Sequence, residues 1–137
     1  MPEPSRETVV WKGDVVAAIP VMVLDDDEDI TLLTRSVLTM HGYAVSEVND
    51  PIAALAKLDE QEYRLVLVDV MMPQMDGVEF IRQARKRRPE AATRYAVLTA
   101  KRLDEEQRRV IFDLGAEIMT KPFIPVKLVE RVAEILR

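Results

Sequence analysis

The chain has 137 residues, of which 48% are apolar and 31% are charged, a composition typical of one globular domain. It contains no cysteine and one histidine, which excludes disulfides, thiolate zinc sites and metal sites built from several histidines. The net charge of −5 argues against direct nucleic-acid binding as the main activity, because contact with phosphates needs a clustered positive surface.

Residues 1–19 are predicted to be an N-terminal extension, and residues 20–137 a single domain. We expect this extension to be flexible, because its first seven residues are rich in prolines and charges. The segment "TVVWKGDVVAA" (8–18) fits either a short hairpin or a loose arm. No apolar run approaches the roughly 20 residues that cross a bilayer, so we expect no membrane contact and a cytoplasmic location.

From Pro20 onward, apolar strands alternate with amphipathic helices. The run "VMVL" (21–24) is continuously apolar, which is typical of a strand covered on both faces. The predicted inward side of the helix that follows repeats at helical spacing: Ile30, Leu33, Val37 and Met40. The segment "YAVSEV" (43–48) predicts a second strand, and Pro51 predicts the first turn of a second helix.

The third strand, "RLVLVD" (64–69), is followed by a loop and a third helix. Asp76 is a plausible N-cap for this helix, which we expect to run to about Arg88. Its basic cluster "RQARKRR" (82–88) is interpreted as the solvated side of the helix in preference to a binding surface.

The last third of the chain repeats the alternation twice more. A fourth strand, "YAVLT" (95–99), precedes a helix whose start is marked by the capping-box spacing of Asp104 and Gln107. A weaker fifth strand, "EIMT" (117–120), precedes the last helix. The predicted inward stripe of that helix is Val126, Val129, Val132 and Leu136.

This alternation predicts an α/β fold, a doubly wound parallel sheet of five strands with helices on both faces. In such sheets the functional site lies beyond the carboxyl ends of the strands, where the strand order reverses. The residues that close each strand are therefore the ones to inspect.

Asp69 closes the third strand after the run of Leu and Val at 65–68, and a carboxylate there is costly unless it is paired or used. Five acids follow the first strand: Asp25, Asp26, Asp27, Glu28 and Asp29. If the first and third strands are neighbours, their carboxylates converge and repel one another. A hard divalent cation resolves that conflict, and oxygen ligands without His or Cys favour Mg2+ over zinc.

Thr99 closes the fourth strand and Lys121 follows the fifth. With Asp69 as an oxygen nucleophile and a cation, these groups suit phosphoryl transfer, which needs positioning and charge neutralisation. A cis peptide bond between Lys121 and Pro122 would aim the lysine into the site. Each residue has a plainer interpretation, as a helix cap, a strand-end hydroxyl or a surface lysine. Their occurrence together at four strand ends favours the functional interpretation.

Four segments carry a resemblance to a known family: "VMVLDDD", "LVLVDVMMPQMDG", "AVLTA" and "GAEIMTKPF". From about Pro20 to Arg137 the chain resembles the receiver domain of two-component response regulators, of the chemotaxis-regulator type. The resemblance implies a (βα)5 flavodoxin-like fold with strand order 2-1-3-4-5. It also implies a phosphorelay module rather than an enzyme, with Mg2+-dependent self-phosphorylation and slow autodephosphorylation only.

The resemblance also implies roles for individual residues. Asp69 matches the aspartate that accepts a phosphoryl group from a sensor histidine kinase or a histidine phosphotransfer protein. The positions that match the Mg2+ ligands are Asp25, Asp26, Asp69 and, through its backbone carbonyl, Met71. The positions that match the reactive set are Asp69, Thr99 and Lys121.

Ile118 departs from the family pattern. Many receivers have an aromatic residue three positions before the lysine, which turns inward when the threonine hydroxyl moves; Thr99 and Ile118 occupy these switch positions. Isoleucine has no ring to swing and a stiff χ1. We therefore expect output to a downstream effector through the fourth helix, the fifth strand and the last helix, a face that also suits a homodimer.

Two rival interpretations and one question of extent stay open at this stage. A haloacid-dehalogenase-like phosphotransferase needs a second acid two residues after the nucleophile, where this chain has Met71. A phosphorylation-independent interaction module is favoured only by Ile118.

Met71 and Lys101 border the expected path of an attacking water. After Lys121 only 16 residues remain (122–137), so the chain is either a free-standing receiver or part of a longer protein.

Overall fold

The computed structural model describes residues 8–11, 14–100, 102–121 and 124–137. The predictions made for the first seven residues, Lys101 and Pro122 lie outside these ranges. The elements in chain order are β1 (Thr8–Trp11), β2 (Asp14–Ala17), β3 (Ile19–Leu24), α1 (Glu28–Thr39), β4 (Tyr43–Val48), α2 (Pro51–Glu60), β5 (Leu65–Asp69), α3 (Gly77–Arg87), β6 (Arg94–Thr99), α4 (Glu105–Asp113), β7 (Glu117–Thr120) and α5 (Pro125–Leu136).

The main sheet is parallel and has the order β4-β3-β5-β6-β7. Counted from β3, this is the predicted order 2-1-3-4-5, so the predicted fold is confirmed. The order reverses between β3 and β5, whose register runs from Val21 opposite Leu65 to Leu24 opposite Val68. The next residue of each strand path is an aspartate, Asp25 or Asp69, so both acids lie at the carboxyl edge of the sheet.

The N-terminal segment forms a separate antiparallel hairpin. Thr8 pairs with Ala17 and Trp11 pairs with Asp14, so of the two alternatives the backbone takes the hairpin. The hairpin leads through Ala18 into β3. The proposed division of the chain near Pro20 therefore falls at the start of β3, which begins at Ile19.

Two hydrophobic layers cover the sheet. On one face α2, α3 and α4 pack over the strands through residues that include Leu55, Phe80, Ile81 and Ile111. On the other face α1 and α5 pack through residues that include Leu38, Leu128, Val132 and Ile135. All of β5 is buried, as expected for a central parallel strand covered on both sides.

Aspartates cap four helices that begin at the site edge of the sheet, α1 to α4, whereas α5 begins after Ile124 without a side-chain cap. Asp76 accepts a hydrogen bond from the Glu79 amide at 2.8 Å, which confirms the predicted N-cap of α3. The capping box of α4 is also confirmed, with Asp104 and Gln107 bonding to each other's backbone amides. Asp27 caps α1 by accepting from the amides of the next turn. Such caps satisfy N–H groups that a helix leaves unpaired.

The predicted inward side of α1 was only partly correct: Val37 packs against the core, but the buried stripe of the helix has a different phase. The buried residues are Thr31, Thr34 and Leu38, whereas Leu33 and Met40 are exposed. Hydropathy misses threonine as a core residue. The Thr31 hydroxyl, however, donates to the Glu28 carbonyl at 3.0 Å, so burying it leaves that donor satisfied.

The predicted stripe of α5 needs a similar correction. Val132 is buried as predicted, and Val129 and Leu136 pack, partly buried, against the same core. Val126, in the first turn of the helix, is exposed. The buried residues of α5 are Leu128, Val132 and Ile135.

The basic cluster at the end of α3 makes several intramolecular contacts. Arg87 forms an ion pair with Asp59, and Arg88 donates to the Leu58 carbonyl at 3.0 Å. Arg85 lies over the Tyr95 ring, 4.9 Å from its centre. Among the helices of the described ranges, none has the length and apolar character needed to span a membrane.

Candidate functional site

The predicted strand-end residues meet at the carboxyl edge of the sheet. Asp25 follows β3, Asp69 ends β5, Thr99 ends β6 and Lys121 follows β7. Asp25, Asp69 and Thr99 are 0%, 7% and 2% exposed, and the Lys121 side chain is 13% exposed. The parallel strand order therefore brings two acids, a hydroxyl and an amine into one buried pocket.

Three carboxylates converge in this pocket. Asp25, Asp26 and Asp69 each offer an oxygen, and these oxygens all lie within 4.8 Å of one another. Asp25 and Asp69 are buried, whereas Asp26 is exposed at the mouth of the pocket. Like charges at such separations repel, so the cluster favours a cation. An all-oxygen set that opens to solvent on one side fits a hard divalent ion that keeps several waters.

The Lys121 amine supplies positive charge to this pocket. Its Nζ lies 2.6 Å from Asp25 Oδ2 and 3.7 Å from Asp69 Oδ1. Within the described residues Asp25 Oδ2 accepts no well-aligned hydrogen bond, so its contact with the ammonium is mainly electrostatic. The Lys121 amide donates to the Thr99 carbonyl at 2.8 Å, which extends the pairing of β6 and β7 and aims the lysine inward.

The pKa of Asp69 is raised to about 6. Burial is the largest cause, because it disfavours the charged carboxylate, and the nearby Asp25 carboxylate adds to the rise. The Met71 amide, which donates to Asp69 Oδ1 at 3.2 Å, and the Lys121 ammonium both oppose it. The environment of Asp69 thus disfavours the charged form of its carboxyl group.

Gly77 fixes the loop between β5 and α3 and was missed at the sequence level. Its amide donates to the Val70 carbonyl at 3.1 Å, which curls the loop back onto the strand. A Cβ at this position would lie 2.5 Å from the Asp69 carbonyl oxygen. The glycine that follows the Asp76 cap was a signal that sequence reasoning could have used, because close backbone approach often requires glycine.

Asn49 was also missed. It follows β4, and its side-chain amide donates to the Asp25 backbone carbonyl at 2.8 Å. The Asp25 side chain in turn accepts from the Asp27 amide at 2.9 Å. The loop that carries the acids is therefore tied both to the neighbouring strand and to the cap of α1.

The remaining predicted positions border this pocket or lie away from it. Met71 is exposed beside Asp69, with its amide bound to that carboxylate. Ile118 pairs with Val97 in the β6–β7 ladder and packs, half-buried, on the α4 side of the sheet.

The model for the response regulator receiver domain matches residues 21–133. The chain belongs to the response regulator receiver family. The transcriptional regulatory protein ResD of Bacillus subtilis is 40% identical over 119 residues, and the match covers 85% of this chain and 48% of that protein. The alkaline phosphatase synthesis transcriptional regulatory protein PhoP, from the same organism, is 39% identical over the same shares.

Solved structures give the same assignment. The chemotaxis protein CheY4 of Vibrio cholerae is 29% identical, with a TM-score of 0.81 that covers 88% of this chain and all of that one. A CheY-like receiver domain from Methanospirillum hungatei is 28% identical, with a TM-score of 0.80 and coverage of 88% and 94%. The predicted family and strand order are confirmed.

The chain is thus a receiver domain of the two-component type, a signalling module rather than a conventional enzyme, and phosphorylation-based signalling is the standard function of the family. The chain spans about half the length of the curated relatives it matches.

Proposed function

We propose that Asp69 accepts a phosphoryl group from the phosphohistidine of a sensor histidine kinase or a histidine phosphotransfer protein. An Asp69 carboxylate oxygen attacks phosphorus, the phosphorus–nitrogen bond breaks, and the departing imidazole nitrogen takes a proton from solvent. The observation that carries this proposal is the convergence of the buried Asp69 with two further carboxylates and the Lys121 ammonium. The resulting acyl phosphate is the signal.

We propose Mg2+ as the cation of this pocket. The residues that would hold it are Asp25, Asp26, Asp69 and the backbone carbonyl of Met71. When bound, the ion neutralises charge on the phosphoryl oxygens. The mutual distances of the three carboxylates and the lack of any cysteine in the chain support a hard cation.

Lys121 and Thr99 are the proposed sensors of the phosphoryl group. Phosphorylation adds about −1.5 to −2 charge, and it shifts a conformational equilibrium only through groups that interact differently with the two states. Lys121 lies closer to Asp25 than to Asp69 in the unmodified pocket, so it has a partner to leave. The Thr99 hydroxyl provides a neutral donor from the neighbouring strand.

The proposed output surface is the α4–β7–α5 face, which also suits a homodimer. Ile118 takes the place of the usual aromatic switch, so we propose that the signal travels through the loop before α4 and the position of that helix. Phe112 on α4 is 80% exposed and offers an apolar contact to a second copy or an effector. We propose no direct contact with nucleic acid or membrane, and a cytoplasmic location, where kinases have ATP.

We also propose that the chain phosphorylates itself from small phosphodonors and slowly loses the group to water. Met71 and Lys101, which flank the expected water path, would tune the lifetime of the acyl phosphate. Unchanged lifetimes in variants at both positions would contradict this role.

The experiment is incubation with Mg2+ and acetyl phosphate, followed by mass spectrometry of the intact chain. We expect one adduct that hydroxylamine removes and that Asp69→Asn abolishes. Steady release of phosphate from a substrate would instead indicate a turnover enzyme. A folded chain that forms no adduct under any of these conditions would indicate a phosphorylation-independent interaction module.

A further inference from the structure

The acidic loop after β3 begins where the β3–β4 ladder ends. The last paired residues of that ladder are Leu24 and Val48. One more backbone bond follows, from the Asp25 amide to the Val48 carbonyl at 3.2 Å. Beyond it the Asp25 carbonyl has passed the end of β4, and the Asn49 side chain takes over the pairing at 2.8 Å.

The hydrogen bond from Asn49 acts on the peptide that joins Asp25 and Asp26. The Asp25 carbonyl belongs to the planar peptide unit that leads into Asp26, so fixing the carbonyl fixes the direction in which the Asp26 backbone departs. Asp26 is the exposed member of the carboxylate cluster. Its position therefore depends on the backbone more than on packing around its side chain.

The other side of the loop is held by α1. Asp25 Oδ1 accepts from the Asp27 amide at 2.9 Å, and Asp27 Oδ1 accepts from the Asp29 amide at 2.9 Å. These bonds link the loop to the helix but not to the neighbouring strand. Apart from the Asp25 amide, which bonds to Val48, the Asn49 side chain supplies the link to the end of β4. It is the only asparagine in the sequence.

We propose that Asn49 is a positioning residue for the cation pocket, which holds the Asp25–Asp26 peptide so that both carboxylates face the ion. The inference rests on the proposed function, since it presumes that the three carboxylates bind Mg2+. Asn49 is exposed and does not belong to the carboxylate cluster. Residues that hydrogen-bond to metal ligands characteristically tune metal affinity, because they set the orientation of the ligands.

The test is the Mg2+ affinity of the full chain, measured by titration calorimetry for the wild type, Asn49→Ala and Asn49→Leu. Leucine is close to asparagine in shape but cannot donate, so it separates the hydrogen bond from the volume. We expect the Mg2+ Kd to rise about 3- to 10-fold in both variants. The Mg2+ concentration that half-saturates phosphorylation by acetyl phosphate should rise equally, with the rate at saturating Mg2+ within about twofold of the wild type.

Tyr63→Phe is the matched control. In the wild type the Tyr63 hydroxyl donates to Oγ of Ser46, a residue of β4, at 3.2 Å. This bond is buried and does not reach the acidic loop. We expect this variant to lower the urea midpoint of unfolding and to leave the Mg2+ Kd unchanged. A rise in Kd as large as that of Asn49→Ala would overturn the inference, because general loosening of β4 would then explain both.

The failures of the two proposals are distinguishable. If the wild type binds Mg2+ and both Asn49 variants bind it equally well, the role of Asn49 is overturned and the proposed function stands. If the wild type does not bind Mg2+ at all, both are overturned.

Discussion

The proposed acceptor pocket (Asp25, Asp26, Asp69, Thr99 and Lys121) and the α4–β7–α5 face are built on the same sheet, but different interactions dominate in each. Among the described residues, the near counter-charge of the pocket's buried carboxylates is the Lys121 ammonium, so the energy of the pocket depends on protons, cations and phosphoryl groups. The face is built from half-buried Ile118, exposed Phe112 and solvent-exposed ion pairs such as Arg131 with Glu117. Exposed pairs contribute little to stability. Substitutions in the pocket should therefore change electrostatics and chemistry, and those on the face should not.

Loss of the ammonium should have the largest effect. Lys121→Ala leaves the buried Asp25 without its 2.6 Å counter-charge, so we expect the metal-free chain to lose about 3 kcal/mol of unfolding free energy at neutral pH. The same change removes a competitor of the cation and should lower the Mg2+ Kd. Urea denaturation with and without Mg2+ measures both. Lys127→Ala, an exposed lysine on α5, is the control and should change neither.

The pH dependence of stability should identify Asp69 next. Its pKa is about 6 in the folded chain and near 4 in an unfolded one. Between these values the folded state holds a proton that the unfolded state has released. The contribution of Asp69 to the free energy of unfolding is therefore fully present below about pH 4 and is lost as the pH rises through 6. Relative to Asp69→Asn, the metal-free wild type should lose up to about 3 kcal/mol between pH 4 and pH 8. A difference that stays constant with pH would show that Asp69 is not held in the unfavourable environment described here.

Gly77→Ala should have a smaller effect on stability but a specific one on chemistry. The new Cβ would meet the Asp69 carbonyl oxygen at 2.5 Å, so the strand end must shift, at about 1–3 kcal/mol. We expect slower phosphorylation at saturating Mg2+. Gly115→Ala, at φ +71° after α4, should cost about 1–2 kcal/mol through backbone strain and leave the rate unchanged. Equal rates for the two variants would contradict a positioning role for Gly77.

The smallest effect is expected on the face. Ile118→Phe introduces on β7 the aromatic side chain that is usual in the family. Residue 118 packs against the α4-side core rather than in the acceptor pocket. We expect its rate of phosphorylation by acetyl phosphate to stay within about twofold of the wild type. A tenfold change would mean that the face and the pocket are not separate, and that the side chain at this position sets the geometry of the chemistry.

The strand ends were predictable because a parallel sheet converts sequence position into spatial position. Once 21–24 and 65–69 were interpreted as buried neighbouring strands, Asp25 and Asp69 had to meet at one edge. Caps such as Asp76 and Asp104 were predictable for a similar reason, since they act on backbone within three residues.

Features that depend on tertiary contacts were not predictable. Thr34 is buried and Val126 is exposed, which is the opposite of what their hydropathy predicts. The packing of α1 and α5 against the sheet decides which residues are buried. Asn49 reaches a carbonyl 24 positions earlier, and nothing in its local sequence signals that partner. The hairpin of β1 and β2 was one of two open alternatives, because its apolar residues fit a strand but did not indicate which segment that strand would pair with.

The most direct test of the central claim is to locate the phosphoryl group. After incubation with Mg2+ and acetyl phosphate, borohydride reduces an aspartyl phosphate to homoserine, and tandem mass spectrometry of the digested chain identifies the modified residue. We predict homoserine at position 69 alone. Modification at Asp25, Asp26 or Asp76, or an unmodified Asp69 in a folded chain that binds Mg2+, would contradict the account.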